Sequence, residues 1–349
     1  MSPTIEIVHP EDRDAWLAVR RKDVTASVAG CLLGVHPYTT AYQLWADKTG
    51  RIEPQAETSA MRRGTEFEPV AIELLRYARQ AWNVEYPLGN SYFRDPQARL
   101  GATPDAFVTR PDRAGRGICQ AKTVSRRAFL ENWLDPDTGD VVLPLWIAVQ
   151  AIVEADLTES SHACVLAIET PFELDDLVEG LLAAERIVDV RRTLHDIAFA
   201  WLAQGKLGVH VIDVPVHPGV RARVREKVAE FWSVVDAGEH PLVDWDRDGR
   251  TVLDVYRDAM PDRRNLTADA ELDALIRRYV EAGENEREAA ALRKLIKPQI
   301  VYALGNSEEG FTASWQIAAR SQYKEAYTVA ASETRIVRIK PRGPIHADY

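Results

Sequence analysis

The chain has 349 residues, 46% hydrophobic and 28% charged, enough for one large core plus an appendage and too apolar for a disordered chain. Its net charge of −10 means that any contact with nucleic acid has to come from local basic clusters. Cys31, Cys119 and Cys164 match neither a disulfide nor a metal-cluster pattern, the histidines are unpaired, and the longest apolar stretch, Val141 to Val153, is broken by Pro144 and Gln150 and too short to span a bilayer. No basic-apolar signal peptide opens the chain, so a reducing cytoplasm and no membrane partner are expected.

In chain order, a helix is predicted over Thr25 to Leu33, with Thr25 and Ser27 at its start, where hydroxyls and free N–H groups bind an anion; a plain N-cap explains Thr25 equally well. From Ser59 to Gln80, Phe67, Val70, Ala71, Leu74, Leu75 and Ala78 form a helical stripe. Glu66 and Glu68 lie off that stripe, which by pattern alone makes them solvated residues, and Pro69 predicts a helix start or kink beside Glu68. Strands are predicted near 84–94, 104–109, 116–123 and 162–168, and long amphipathic helices over Asp175–Gln204 and Val220–Val235. This is an α/β pattern, a mixed sheet flanked by helices, over residues 1–242.

Residues 243–267, rich in Asp, Arg and Pro, read as a linker. In 268–349, two apolar stripes separated near Gly283 predict a helical hairpin, and the alternation of Phe311, Ala313, Trp315 and Ile317 predicts a half-buried strand. Tyr323 to Tyr327 and Arg335 to Lys340 are candidates to extend that small β element. DNA guidance, oligomer contact, partner binding and a purely structural cap all fit this accessory region.

The chemistry concentrates at Thr103-Pro104-Asp105 and Gln120-Ala121-Lys122. The apolar segments 106–109 and 117–119, joined by Pro111-Asp112-Arg113-Ala114-Gly115, predict an antiparallel hairpin. A turn centred near Arg113 and Ala114 sets Asp105 opposite Lys122, with Gln120 and Lys122 on one face. A carboxylate, an amide oxygen and an ammonium brought together suit phosphodiester hydrolysis with Mg²⁺, which takes hard oxygen ligands. Asp105, the Gln120 amide and the Ala121 carbonyl are the candidate metal ligands, and Lys122 the group that holds a water and offsets developing charge. A surface hairpin with solvated polar residues fits the same spacing.

The order Trp16, Arg20, Thr25-Ala26-Ser27, Gly34-Val35-His36-Pro37-Tyr38, Lys48-Thr49-Gly50, Gly64-Thr65-Glu66-Phe67-Glu68-Pro69, Thr103-Pro104-Asp105 and Gln120-Ala121-Lys122 resembles the lambda-exonuclease-like viral recombinase family (YqaJ type) of the PD-(D/E)XK nucleases. The resemblance runs on to Phe231-Trp232 and Gly238-Glu239-His240-Pro241. It implies a restriction-endonuclease-like α/β core and a Mg²⁺-dependent 5′-to-3′ double-strand DNA exonuclease, with Mn²⁺ as a substitute metal. Such an enzyme leaves 3′ single strands for a phage-type annealing protein, works in a bacterial or phage-infected cell, and forms a homo-oligomer, often a trimer. Carried over by position, the resemblance makes Glu68, Asp105, Gln120 and Lys122 the catalytic set, places Thr103 and Gln150 at the substrate, and gives Arg20 and Ser27 the grip on a 5′-phosphate.

Three positions depart from the family: Gln120 stands where Glu is usual, Ala106 where Gly is common, and Ala148 where Gln is common. The first removes a negative charge from the metal site, which keeps a catalytically silent DNA-end scaffold among the readings, beside a related endonuclease or repair nuclease. Arg20-Arg21-Lys22, Arg62-Arg63 and Arg126-Arg127 adjoin the motif segments and predict a basic channel on an acidic exterior.

Overall fold

The run from His162 to Thr170 is buried at every position except Glu169, the pattern of a strand covered by helices on both faces. The computed structural model describes residues 4–54, 57–86, 91–183, 189–321 and 323. The chain separates into two compact units, Met1–Val255 and Tyr256–Tyr349.

The first unit opens with β1 (Glu6–Val8), α1 (Arg13–Arg21), β2 (Val24–Thr25), α2 (Ala26–Ala29), a 3-10 turn over Gly30–Leu33, α3 (Ala41–Lys48) and α4 (Ser59–Ala78). Strands β3 (Asn83–Glu85), β4 (Tyr92–Asp95), β5 (Leu100–Ala102), β6 (Ala106–Thr109) and β7 (Arg116–Ser125) follow, then α5 (Arg126–Asn132), α6 (Leu145–Leu157) and β8 (His162–Thr170). The unit closes with α7 (Glu173–Leu182), α8 (Val190–Ala203), β9 (Gly208–Val214), α9 (Pro218–Asp236) and α10 (Gly249–Val255).

The central sheet has the order β3-β6-β7-β8-β9 and is antiparallel except for the β7–β8 pair, whose ends are joined through α5 and α6. A second sheet has the order β1-β4-β5-β2. The expected α/β class, a mixed sheet flanked by helices, therefore holds. Helix α6 covers one face of the central sheet, where Ile118, Val124, Val165 and Ala167 meet Ile147, Ala151 and Ile152. Helices α4, α7 and α8 cover the other, where Cys119, Leu166 and Ile168 meet Phe67, Leu74, Val178 and Leu194. Along β7 the even-numbered residues thus face α6 and the odd-numbered ones face α4.

Several expectations change. Helix α4 starts at Ser59, with the Thr58 hydroxyl accepting from the Met61 N–H at 3.2 Å, and runs through Pro69. Burial of Phe67, Val70 and Ala71 on both sides of the proline holds the helix across the missing hydrogen-bond donor. The strand expected at 84–94 is two strands in different sheets, β3 and β4, with residues 87–90 outside the described set. The helix expected over Asp175–Gln204 is two helices, α7 and α8. The segment read as a linker belongs in part to the first unit: Asp248 is fully buried, accepting from the Thr40 hydroxyl at 2.5 Å and the Asp244 N–H at 2.8 Å, and α10 follows it. Polar composition signals solvent only when those groups lack intramolecular partners, and here they have them.

In the second unit the expected helical hairpin is a single helix, α11 (Ala270–Leu304). A glycine in a helix costs about 1 kcal/mol relative to alanine, too little for Gly283 to end a 35-residue helix. The expected strand at 311–317 is a hairpin of β10 (Glu309–Phe311) and β11 (Gln316–Ala318). Its turn is closed by the Thr312 N–H donating to the Trp315 carbonyl at 2.9 Å and by the Trp315 N–H donating to the Thr312 hydroxyl at 3.0 Å. The extensions considered at Tyr323–Tyr327 and Arg335–Lys340 lie outside the described residues apart from Tyr323.

Candidate active site

The β6–β7 ladder pairs Ala106 with Cys119 and Thr109 with Arg116, so Asp105, one residue before β6, stands across from Gln120 and not from Lys122. The sequence placed the turn about one residue too late, which shifts the partner by two positions. An even shift preserves which face each side chain takes, so Gln120 and Lys122 still share the α6 face with Asp105. The Asp105 carboxylate accepts the Ala121 backbone N–H at 2.7 Å on Oδ2, and the Gln120 amide donates to the same oxygen. Gln120 Nε2 also donates to the Ala121 carbonyl at 3.3 Å, while Gln120 Oε1 is buried without a hydrogen-bond partner.

These contacts bear on a divalent cation. The amide N–H₂ of Gln120 donates to two oxygens, Asp105 Oδ2 and the Ala121 carbonyl, which are among the groups that would hold a cation. Turning the amide over replaces the donor with Oε1, the orphaned acceptor, and leaves three oxygens converging. A hard-oxygen set of this kind fits Mg²⁺ or Mn²⁺. It has less negative charge than a site with Glu at position 120, and among the described residues no cluster of three or more His, Cys, Asp or Glu has metal-site geometry.

The electrostatics report crowded acids. Burial and the charge of Glu68 raise the Asp105 pKa, against the pull of Lys122 and the Ala121 N–H. Burial likewise raises the Glu68 pKa, although Glu68 accepts the Tyr86 hydroxyl at 3.1 Å. On α6, Glu154 is almost fully buried, and its pKa is raised well above the ordinary value by burial and by the Asp105 charge; Gln150, Lys122 and Arg20 oppose the shift. Acids this close cannot all ionise without a compensating cation. Lys122 supplies one positive charge, and its side chain makes no ion pair or hydrogen bond among the described residues.

Next to this group lies the Arg20 pocket. The Arg20 guanidinium lies 4.1 Å from the Trp16 ring centroid and donates to the Ser27 hydroxyl at 3.4 Å, and Ser27 is 3.0 Å from the Thr25 hydroxyl. Trp16 Nε1 donates to Thr103 Oγ1 at 3.4 Å, tying the pocket to the strand that leads to Asp105. Lys48 donates to the Arg20 carbonyl at 2.9 Å, and burial lowers its pKa to about 8. Thr25 does not cap α2 with its side chain, because its hydroxyl is engaged with Ser27. The expected helix over 25–33 is one α-helical turn followed by a 3-10 turn, so the pocket rests on side chains and not on a helix dipole.

The structure thus brings Asp105, Gln120 and Ala121 into contact, with Glu68 and Lys122 acting on Asp105 through their charges. Gln150 enters through α6, where its Nε2 donates to Glu154 Oε1 at 2.8 Å and its own Oε1 is buried and unpartnered. The basic-channel expectation meets carboxylate partners in two of its three clusters, and among the described residues no ion pair engages the third, Arg20-Arg21-Lys22. Arg62 pairs with Glu57 and Glu179, Arg63 with Asp175, Arg126 with Glu169 and Arg127 with Glu131, so these cations are engaged by carboxylates. Sequence reasoning missed Glu154 and Tyr86. Glu154 had a signal, a carboxylate four residues after Gln150 in an otherwise apolar helix, whereas Tyr86 reaches Glu68 only through tertiary placement.

Residues 15–155 match the family model described as the YqaJ-like viral recombinase domain. A Bacillus subtilis (strain 168) protein named YqaJ, itself described as uncharacterized, is 42% identical over 50 residues, which span 14% of this chain and 16% of that protein. Among solved structures, the alkaline exonuclease LHK-Exo from Laribacter hongkongensis aligns over 64% of this chain and 93% of its own, at 20% identity and a TM-score of 0.41. A phage-related exonuclease from Haemophilus somnus 129PT aligns over 62% of this chain and 96% of its own, at 12% identity and a TM-score of 0.40.

Proposed function

We propose, on the match of residues 15–155 to the YqaJ-like viral recombinase family model, that this chain is a divalent-metal-dependent exonuclease that digests one strand of duplex DNA from a 5′ end. The carrying observation is the convergence of Asp105, Gln120 and Ala121 beside Lys122, next to a separate pocket in which Arg20 meets Ser27. Asp105, the Ala121 carbonyl and Gln120 Oε1 would hold the metal, which when bound polarises a phosphate and acidifies a water.

The chain's own groups do the rest. Lys122 offsets charge that builds on the phosphate and orients the attacking water. Glu68, whose carboxylate accepts the Tyr86 hydroxyl, assists as a metal ligand or as the base that takes a proton from that water. Arg20 and Ser27 hold the terminal 5′-phosphate through a charged fork and a hydroxyl, which fixes the register of the strand before chemistry. Thr103, held by Trp16, and Gln150, held by Glu154, are the further groups that contact the substrate strand.

The proposal extends to Mg²⁺ as the metal with Mn²⁺ as a substitute, a ring of three copies around the duplex, a single-strand annealing protein that takes the 3′ strand, and action in the cytoplasm of a bacterial or phage-infected cell. Among the described residues no helix is long and apolar enough to cross a membrane. One observation favours a second reading, a silent DNA-end scaffold: the Gln120 amide presents its donor, not its oxygen, to Asp105. A gel assay of 5′-phosphorylated linear duplex, with Mg²⁺ and with chelator, tests both. Mg²⁺-dependent shortening supports the exonuclease, retention without shortening the scaffold, and equal attack on closed circular duplex an endonuclease.

A further inference from the structure

An aromatic side chain exposed on a firmly held loop, beside the phosphate pocket, has no part in the chemistry described above. Tyr38 is 73% exposed, yet its backbone is well fixed. The ring of His36 accepts the N–H of Tyr38 at 3.2 Å and of Thr39 at 3.0 Å on Nδ1. From the far side Arg247 donates to the carbonyls of His36 at 2.8 Å and Pro37 at 3.0 Å. The loop then enters α3 through the Thr40 cap, whose hydroxyl accepts the Gln43 N–H at 3.0 Å.

The ring of Tyr38 stands nearly perpendicular to two others. Its centroid lies 6.1 Å from that of His36 and 6.0 Å from that of Trp146, at interplanar angles of 79° and 82°. His36 and Trp146 are themselves 5.1 Å apart, and Leu145 beside Trp146 is 68% exposed. These near-perpendicular contacts hold the Tyr38 ring in place, and its 73% exposure leaves most of the ring open to solvent. The cluster also adjoins both halves of the candidate site: Trp146 packs on Gly30, three residues after Ser27, its Cβ 3.3 Å from where a Gly30 side chain would begin, and the Lys122 charge acts on the His36 ring.

We propose that Tyr38, braced by His36 and Trp146, is a stacking platform for a nucleobase at the DNA end, the base whose phosphate Arg20 and Ser27 hold. The inference rests on the DNA-end reading above and adds to it a site for the base. Every nucleobase has a π-face, so a bare aromatic ring next to a phosphate grip binds a terminal nucleotide without regard to sequence, as an enzyme that meets every base in turn requires. An unpaired base gains more from the ring than a paired one, so the platform favours a terminal nucleotide parted from its complement.

The test uses the full chain in chelator, so that no strand is cut, and a 5′-phosphorylated duplex whose 5′-terminal nucleotide is an unpaired 2-aminopurine. The wild type is expected to quench the probe on binding. Tyr38→Ala should lose most of the quenching and bind on the order of tenfold more weakly, while Tyr38→Phe and Tyr38→Trp keep both. An abasic terminal nucleotide should cost the wild type a similar factor and cost Tyr38→Ala nothing further, a coupling that a merely structural role would not produce. If the wild type binds the duplex and Tyr38→Ala quenches and binds equally well, the platform is overturned and the DNA-end reading stands. If the wild type binds no DNA end at all, both fall.

Discussion

Gln120 donates its amide hydrogen to Asp105 and thereby leaves its own Oε1 buried without a partner. A buried unpartnered acceptor costs about 1–3 kcal/mol, so whatever lets that oxygen find a partner is favoured. If Asp105, the Ala121 carbonyl and Gln120 Oε1 together held a divalent cation, the cation would be that partner.

Gln120→Glu sets a second carboxylate beside Asp105, whose pKa is already raised by burial and Glu68. In chelator the variant should melt below the wild type, since two acids then crowd one site. Added Mg²⁺ should raise its melting temperature more than that of the wild type, because ligand binding stabilises in proportion to RT ln(1 + [L]/Kd). Thermal melts over a Mg²⁺ titration decide this, and identical Mg²⁺ shifts in the two proteins would remove Gln120 from the ligand set.

Asp105→Ala and Lys122→Ala should each lower the digestion rate by at least about 100-fold while the circular dichroism of the folded chain persists. On the proposed function both would act at the reacting phosphate: Asp105 accepts the Ala121 N–H within the oxygen cluster and Lys122 is the nearby positive charge. A near-normal rate in either variant would place the chemistry elsewhere.

Arg20→Ala should erase most of the preference for 5′-phosphate over 5′-hydroxyl ends. A hydrogen bond to a charged group contributes about 2 kcal/mol, which corresponds to roughly 30-fold in initiation. The Mg²⁺ requirement should be unchanged, since Arg20 contacts Ser27 and Trp16 and not the Asp105 cluster. Rates on matched ends settle the matter, and an unaltered ratio would mean that the phosphate is held elsewhere.

Glu154 supplies a pH test. Burial raises its pKa in the folded chain, so the folded state holds this proton more tightly than the unfolded one. Its contribution to stability is therefore full below the unfolded value of about 4.3 and is lost as pH rises toward the raised folded value. Glu154→Gln keeps the shape and never ionises. It should stabilise the chain by about 1–3 kcal/mol at pH 8, with the gain fading as pH falls toward 4. Denaturant unfolding at several pH values measures this, and a gain independent of pH would show that Glu154 does not titrate in this window.

The hairpin was legible because its signals are local: alternation in 106–109 and 117–119, and turn residues between them. The face shared by Asp105, Gln120 and Lys122 survived an error in register because the error was even. The α/β class followed from strand patterns at 104–109, 116–123 and 162–168 alternating with helical ones, and β8 is the last of these. By contrast, the helical hairpin and the linker were inferred from Gly283 and from Asp- and Arg-rich composition, and both local signals yielded to the continuous helix α11 and to the buried Asp248.

By itself, then, the sequence determined which residue types stand on the catalytic face, since strand period and turn chemistry act over a few residues. Only the tertiary structure decided which charges are available there. Arg62, Arg63, Arg126 and Arg127 looked like DNA contacts in sequence and are paired with acids that lie far away in the chain or on the next helical turn. Glu154 and Tyr86 gained their places through the packing of α6 on the sheet and the end of β3 against α4. Charge neutralisation and burial depend on distance in space, and distance along the chain does not encode it.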